Sequence, residues 1–251
     1  MALPPPSSSA ETEPEGETYG AVILPADALT PDAILEVLRD IRFSGWIAPS
    51  RDGWTVLLGD PGDGVVADDK RGVIEVASDL ARNASRVIAV RVRRDRQLGI
   101  VAWRDGEELG RYCSDPSREP GADKEVLDQP FGAELAGSLA DLLDRADAVD
   151  EVTELLDEEL DPDSVYESER LRSLLRLLGL PAWIVAAGAL PEDIPTGPKA
   201  AELTRLRAGA TGYTGRTLGP ALRALRRRQT PPPVIADPPR SLGGGFEEWM
   251  L

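Results

Sequence analysis

The residue types that most often carry chemistry are nearly absent from this chain. Its 251 residues contain no histidine and a single cysteine, Cys113. Without histidine, the chain lacks the side chain most used for proton transfer near neutral pH, and most familiar hydrolase triads and zinc sites lose a member. Arg111 and Arg118 could favour a thiolate at Cys113, but a small, partly buried core residue is the favoured interpretation. The sequence therefore identifies no catalytic residue, no metal site and no cofactor, and it favours a protein that is not an enzyme.

A cluster of carboxylates marks the loop between residues 59 and 69. Asp60, Asp63, Asp68 and Asp69 lie within ten positions and offer the oxygen ligands that calcium and magnesium prefer. The spacing departs from the EF-hand pattern, which needs alternating ligands and a glutamate at the twelfth position. We expect a solvated turn in which Asp68 or Asp69 caps the next helix. A carboxylate-dependent or metal-dependent enzyme is the less favoured alternative, since no motif selects a pair of acids.

A glycine-rich segment at residues 209–219 is flanked by Arg205, Arg207 and Arg216. A glycine-rich loop before a helix can bind phosphate through its backbone amides. This segment lacks the Lys-Ser/Thr of a P-loop and does not follow the strand of a dinucleotide fingerprint. A flexible connector is the favoured interpretation.

The chain ends in large apolar side chains on a Gly-rich tether: Phe246, Trp249, Met250 and Leu251. A tethered aromatic anchor can insert into a partner's groove, where one or two such residues supply most of the binding energy. We predict that these four residues bind a protein partner. Folding of the tail back onto its own chain is the alternative.

Two further segments bear on membranes. Residues 177–190 carry no charge, but they are shorter than the roughly 20 residues that span a bilayer, so a buried helix is favoured. A basic helix at residues 218–228 is compatible with an anionic membrane surface. Peripheral attachment to a membrane is therefore an alternative function.

The charge of the chain is large and unevenly distributed. With 44 acidic and 28 basic residues the net charge is -16, which disfavours nucleic acid as a partner. Residues 121–170 hold 17 acidic and 3 basic side chains, whereas residues 196–251 hold 4 and 9. This asymmetry predicts either electrostatic pairing with a partner or two solvated faces of opposite sign. A single cysteine, and a beginning without a basic and apolar signal segment, predict a cytoplasmic, reduced protein.

The elements that position these residues follow a recognisable order in the first half of the chain. Residues 19–24 form a predicted strand, and Thr30 with Pro31 begins a helix. Asp52-Gly53 and Asp105-Gly106 each favour a tight reversal between two strands. The order strand, helix, two strands, helix, strand predicts an α+β fold with a ferredoxin-like (split βαβ) antiparallel sheet and an added hairpin.

The second half of the chain is predicted to form an α-helical C-terminal module. Residues 135–149 have the apolar spacing of one helix, with Asp141 and Arg145 one turn apart. Gly179 followed by Pro181 ends a later helix. The predicted organisation is a disordered N-terminal tail (1–18), an α+β domain (19–118), a linker (119–130), a helical region (131–230) and a Pro/Gly-rich C-terminal tail (231–251).

These observations together predict a non-catalytic protein-interaction or regulatory protein. A protein partner would bind the C-terminal tail and surfaces of complementary charge. The sequence predicts no particular oligomeric state.

Overall fold

The structure, a computed structural model, describes residues 16–62, 64–159 and 166–241. Residues 1–15 of the predicted N-terminal tail lie outside these ranges. The strands of the described residues are Tyr19–Pro25 (β1), Gly45–Ile47 (β2), Trp54–Gly59 (β3), Arg86–Arg93 (β4), Gln97–Arg104 (β5), Glu107–Cys113 (β6) and Thr204–Leu206 (β7). The α-helices are Pro31–Asp40 (α1), Val73–Ala81 (α2), Leu135–Leu142 (α3), Val149–Asp157 (α4), Glu167–Leu177 (α5) and Gly212–Arg226 (α6).

All seven strands belong to one antiparallel sheet with the order β6-β5-β4-β1-β3-β2-β7, so the fold is mixed α+β. The turns at Asp52-Gly53 and Asp105-Gly106 have positive φ at both positions, which matches the twist of the strands they join. The two predicted hairpins are thereby confirmed. Strand β7 pairs with β2 at the sheet edge, a pairing that the sequence did not indicate.

Helices cover both faces of the sheet. Successive residues of a strand point to opposite faces, and β1 is buried on both: Val22 and Leu24 contribute to one core, and Ile23 to the other. Helices α1 and α2 supply the first core through residues such as Leu38 and Leu80. Helices α3, α4 and α5 supply the second core. The helical region therefore packs directly on the sheet.

The single helix predicted over residues 135–149 is wrong, because α3 ends at Leu142 and α4 begins at Val149. Asp144 takes a positive φ of 56°, and the amide of Arg145 donates to the carbonyl of Ala140 at 2.7 Å. This is the bonding of a Schellman ending, with an aspartate where glycine is usual. The predicted Asp141–Arg145 pair is also wrong, since Arg145 pairs with Asp147.

Two other segments differ from their predicted form. The glycine-rich segment is part of α6, which begins at Gly212, six residues before the predicted start of the basic helix. The apolar segment 177–190 lies at the end of α5 and in a 3-10 segment, Ala182–Ala189, rather than in one helix. Gly179 has a φ of 69°, which confirms the predicted stop after α5.

The last described residues, 229–241, contain no helix or strand, but they are bound to the sheet. Val234 is fully buried and Ile235 nearly so, in the core that α1 and α2 share. Val234 lies against Gly99 of β5, where a Cβ would approach its Cγ2 to 2.7 Å. Residues 231–235 therefore act as an extended strap, called the strap below, that completes one face of the sheet.

Candidate functional site

The residues predicted to bind a partner, Phe246, Trp249, Met250 and Leu251, lie outside the described residues. The last described residue before them has a fixed position, because the amide of Ser241 donates to the carbonyl of Glu125 at 2.8 Å. The tail therefore starts beside the loop that follows β6. Its partner-binding role stays a prediction.

Cys113 is fully buried at the end of β6 and is not a nucleophile in this fold. Its Sγ accepts from Nε2 of Gln97 at 3.4 Å and lies 3.5 Å from Oε1 of Glu119. Burial, reinforced by the negative charge of Glu119, raises the pKa of the thiol well above its ordinary value of 9.0. The neutral thiol is thus held in the core, as the favoured interpretation predicted.

The described carboxylates of the loop 59–69 pair with arginines. Asp60 pairs with Arg205 and Arg223, and Asp68 pairs with Arg226 at 3.0 Å. Asp63 lies outside the described residues. Within the described part of the chain, no group of three or more acidic, cysteine or histidine side chains is arranged to hold a metal ion.

The predicted cap of α2 by Asp68 or Asp69 is wrong. The carboxylate of Glu75, inside the first turn, accepts from the amide of Gly72 at 2.8 Å. Asp69 instead pairs with Arg71 at 3.0 Å. The first amides of a helix have no partner inside the helix, and a glutamate of the first turn can accept a hydrogen bond from one of them.

Helix α6 presents an exposed surface that is both apolar and basic, called the α6 surface below. Leu218 and Leu225, seven positions apart, lie on the same side of the helix, and their side chains are 56% and 59% exposed. Arg228, three positions after Leu225, is exposed beside it, whereas Arg216, two positions before Leu218, projects from a different side of the helix. Another side of α6 packs on the protein through Gly215 and Gly219. A row of exposed leucines with an arginine beside it suits an acidic partner with apolar side chains.

A surface of opposite sign lies along α4. A hollow of about 580 Å³ is lined by Leu155 and Leu177 together with the acidic side chains Glu151, Glu154, Asp157 and Glu158. Helix α4 belongs to the core on the other face of the sheet from α1 and α2, whereas Arg226 of α6 donates to the carbonyl of Val66 in the α1–α2 core. The two charged surfaces are therefore separate, and neither neutralises the other within one chain.

The apolar segment 177–190 is buried or half-buried at every residue except Gly179, but it does not form the single buried helix that was predicted. Ile184, Val185, Ala187 and Leu190 belong to the core that covers the α4 face of the sheet, so these side chains do not reach a membrane surface. No helix of the described ranges has both the length and the apolar character to cross a bilayer.

A polar cavity of about 260 Å³ contains Glu167 and Arg170, both buried. Arg170 donates to the hydroxyl of Tyr112 and to the carbonyl of Glu158, and its Nε lies 3.6 Å from Oε2 of Glu167. Burial raises the pKa of the Glu167 carboxyl, and the positive charge of Arg170 partly opposes this. These contacts tie α5 to β6 and to the end of α4, which is a structural role.

Sequence reasoning missed a basic cavity between β2, β7 and α6. It has a volume of about 380 Å³, and its lining includes Trp46, Asp60, Arg205, Arg207 and Arg223. The guanidinium of Arg205 lies 3.5 Å above the ring of Trp46. The sequence singled out Arg205 and Arg207 as neighbours of the glycines, but nothing in it placed Trp46 or Asp60 beside them.

Comparison with protein-family models, with curated proteins and with solved structures finds no match to this chain.

Proposed function

We propose that this chain is a non-catalytic protein-interaction or regulatory protein that docks a protein partner through complementary charged surfaces and its C-terminal tail. The observation that carries the proposal is the α6 surface, where two exposed leucines lie beside the exposed Arg228 on a chain with a net charge of -16. The occupant that suits it is an acidic protein segment with apolar side chains. Phe246 and Trp249 would add an anchor in a groove of the same partner.

A protein partner is favoured over an anionic membrane for an electrostatic reason. The row formed by Leu218 and Leu225 is narrow, and the acidic surface along α4 would be repelled by anionic lipid. An acidic protein segment contacts α6 alone and avoids that repulsion. The membrane is therefore the alternative that the test must separate.

The proposal includes two finer points. The strand order β4-β1-β3-β2 supports a ferredoxin-like (split βαβ) core that β5, β6 and β7 extend. The single buried thiol supports a cytoplasmic, reduced setting.

The test is affinity capture from host lysate with three baits: the full chain, a chain ending at Ser241, and the double variant Leu218→Ser, Leu225→Ser. A truncation after Ser241 removes the tail and keeps Val234, which is part of the core. We expect a defined set of proteins on the full chain, lost from both other baits and released as salt screens the charges.

Two controls decide the outcome. Tyr166→Ser removes a side chain of similar exposure, 52%, away from α6, and should leave capture unchanged. Flotation of the full chain with phosphatidylserine vesicles tests the membrane alternative. Equal capture by all baits contradicts the proposal, as does flotation that depends on Leu218 and Leu225.

A further inference from the structure

The basic cavity is lined mainly by positive charges, although the chain as a whole is strongly negative. Four arginines, Arg205, Arg207, Arg223 and Arg227, line it together with Asp60, the one carboxylate among the described lining residues. A second hollow of about 380 Å³ shares Arg207, Arg223 and Arg227 and lies along α6. In a chain of net charge -16, the cavity therefore concentrates charge of the opposite sign.

Two of the arginines are held in fixed positions. One oxygen of Asp60 lies 2.7 Å from Nη2 of Arg205, and the other lies 2.9 Å from Nη2 of Arg223. Trp46 supports Arg205 from below through the cation–π contact. A single carboxylate thus orients two guanidinium groups, as in sites that bind an oxyanion without prior rearrangement.

Arg207 is positioned by the glycines of α6. A Cβ at Gly219 would come within 2.9 Å of Cβ and 3.2 Å of Cδ of Arg207, and one at Gly215 within 3.3 Å of its Cβ. The absent side chains let Arg207 lie along the helix. Within residues 16–62, 64–159 and 166–241, no hydrogen bond or ion pair is made by its guanidinium group.

The remaining charge in the cavity defines the ligand. Asp60 balances one of the charges of Arg205, Arg207 and Arg223, which leaves two positive charges of these three for a ligand. Burial lowers the pKa of Arg205, Asp60 opposes this, and the nearby charges of Arg223 and Arg207 lower the pKa further, so an anion in the cavity would favour the charged guanidinium. The volume is at the small end of the roughly 300–1,000 Å³ of ligand pockets.

We propose that this cavity binds a phosphate dianion, free or as a phosphomonoester, through the side chains of Arg205, Arg207 and Arg223. Planar guanidinium groups match phosphate oxygens in pairs, which favours phosphate over a monovalent anion. The site is independent of the partner surface, because Leu218 and Leu225 do not line the cavity.

The test is calorimetric titration of the full chain with inorganic phosphate and with glycerol 3-phosphate at constant ionic strength. We expect binding of at least one of them, weakened about tenfold or more by Arg207→Gln, since one charge-assisted hydrogen bond is worth about 1.5–3 kcal/mol. Arg207→Lys keeps the charge and should restore part of the affinity. Arg82→Gln removes an equal charge from an exposed side chain outside the cavity lining and should leave binding unchanged.

Failure of both probes at concentrations of tens of millimolar overturns the proposal, unless phosphatidate vesicles bind in an Arg207-dependent manner. That result would support the same phosphate chemistry with a lipid as its source. Equal weakening by Arg207→Gln and Arg82→Gln would overturn the proposal, because it would mean that only overall charge matters. A thermal unfolding curve for each variant separates loss of the site from loss of the fold.

Discussion

Loss of the Glu119 side chain should lower the free energy of unfolding by an unusually large amount for a single substitution. Its side chain is fully buried, and its Oε1 lies 2.7 Å from Nη2 of Arg91, which is 7% exposed. Its Oε2 accepts from the amide of Val234 at 2.9 Å. One carboxylate thus neutralises a buried arginine of β4 and fastens the strap to the sheet.

The cost of Glu119→Ala follows from these two contacts. Removing one partner of a buried ion pair costs about 3–5 kcal/mol, because the other charge stays buried. Loss of the acceptor for the Val234 amide adds about 1 kcal/mol. For comparison, Arg82 pairs with Asp79 at 3.2 Å while 73% exposed, and Arg82→Ala should cost less than about 1 kcal/mol.

Urea unfolding at pH 7 measures both variants by linear extrapolation. Limited proteolysis adds a local readout, since release of the strap should expose peptide bonds in residues 229–241 of Glu119→Ala before the rest of the chain unfolds. Equal free energies of unfolding for Glu119→Ala and Arg82→Ala would refute the reasoning. So would an unchanged proteolytic pattern.

Three further outcomes are expected. Glu167→Gln should make the free energy of unfolding depend less on pH: the raised pKa of Glu167 makes the native state bind its proton more tightly than the unfolded state, so stability of the native sequence falls as pH rises above the ordinary value of 4.5. Urea titrations across this range should show a smaller fall for the variant, and a constant difference between the two at all pH values would contradict it. Cys113 should react with an aromatic disulfide reagent at pH 8 at least about a hundredfold more slowly in the native chain than in urea; equal rates would contradict its burial. Leu218→Ser with Leu225→Ser should change the free energy of unfolding by no more than about 0.5 kcal/mol per site, and a larger loss would mean that these two leucines pack on the body of their own chain.

Local signals in the sequence predicted much of the first half of the fold. Thr30 caps α1 by accepting from the amide of Ala33 at 3.2 Å, and the two Asp-Gly turns join the strands that flank them. These features depend on residues close together in sequence, where capping and turn chemistry act directly.

Elements that depend on distant residues were not predicted. Strand β7 has three residues and no alternating pattern, and it forms because β2 offers a free edge. The strap looked like an unbound tail because prolines dominate it, yet Val234 fills the space above Gly99. The helix break at Asp144 was missed because glycine, rather than aspartate, usually marks such an ending.

The sequence indicated only part of the basic cavity, because its lining residues come from segments far apart in the chain. Arg205 and Arg207 were noted beside the glycines as possible neighbours of a phosphate bound by backbone amides. The structure instead gathers arginine side chains, with Asp60 and Trp46 supplied by segments about 145 and 160 residues earlier. Spacing within one segment does not reveal such an assembly.

Photo-crosslinking from position 225 of α6 in the native host tests most directly whether this chain acts through its charged surfaces. The full chain carries the photoreactive residue in place of Leu225, and a second chain carries it in place of Tyr166 as a control. The predicted result is a crosslink from position 225 to an acidic segment of one protein, absent from position 166. Crosslinks from position 225 only to lipid, or the same proteins from both positions, would contradict it.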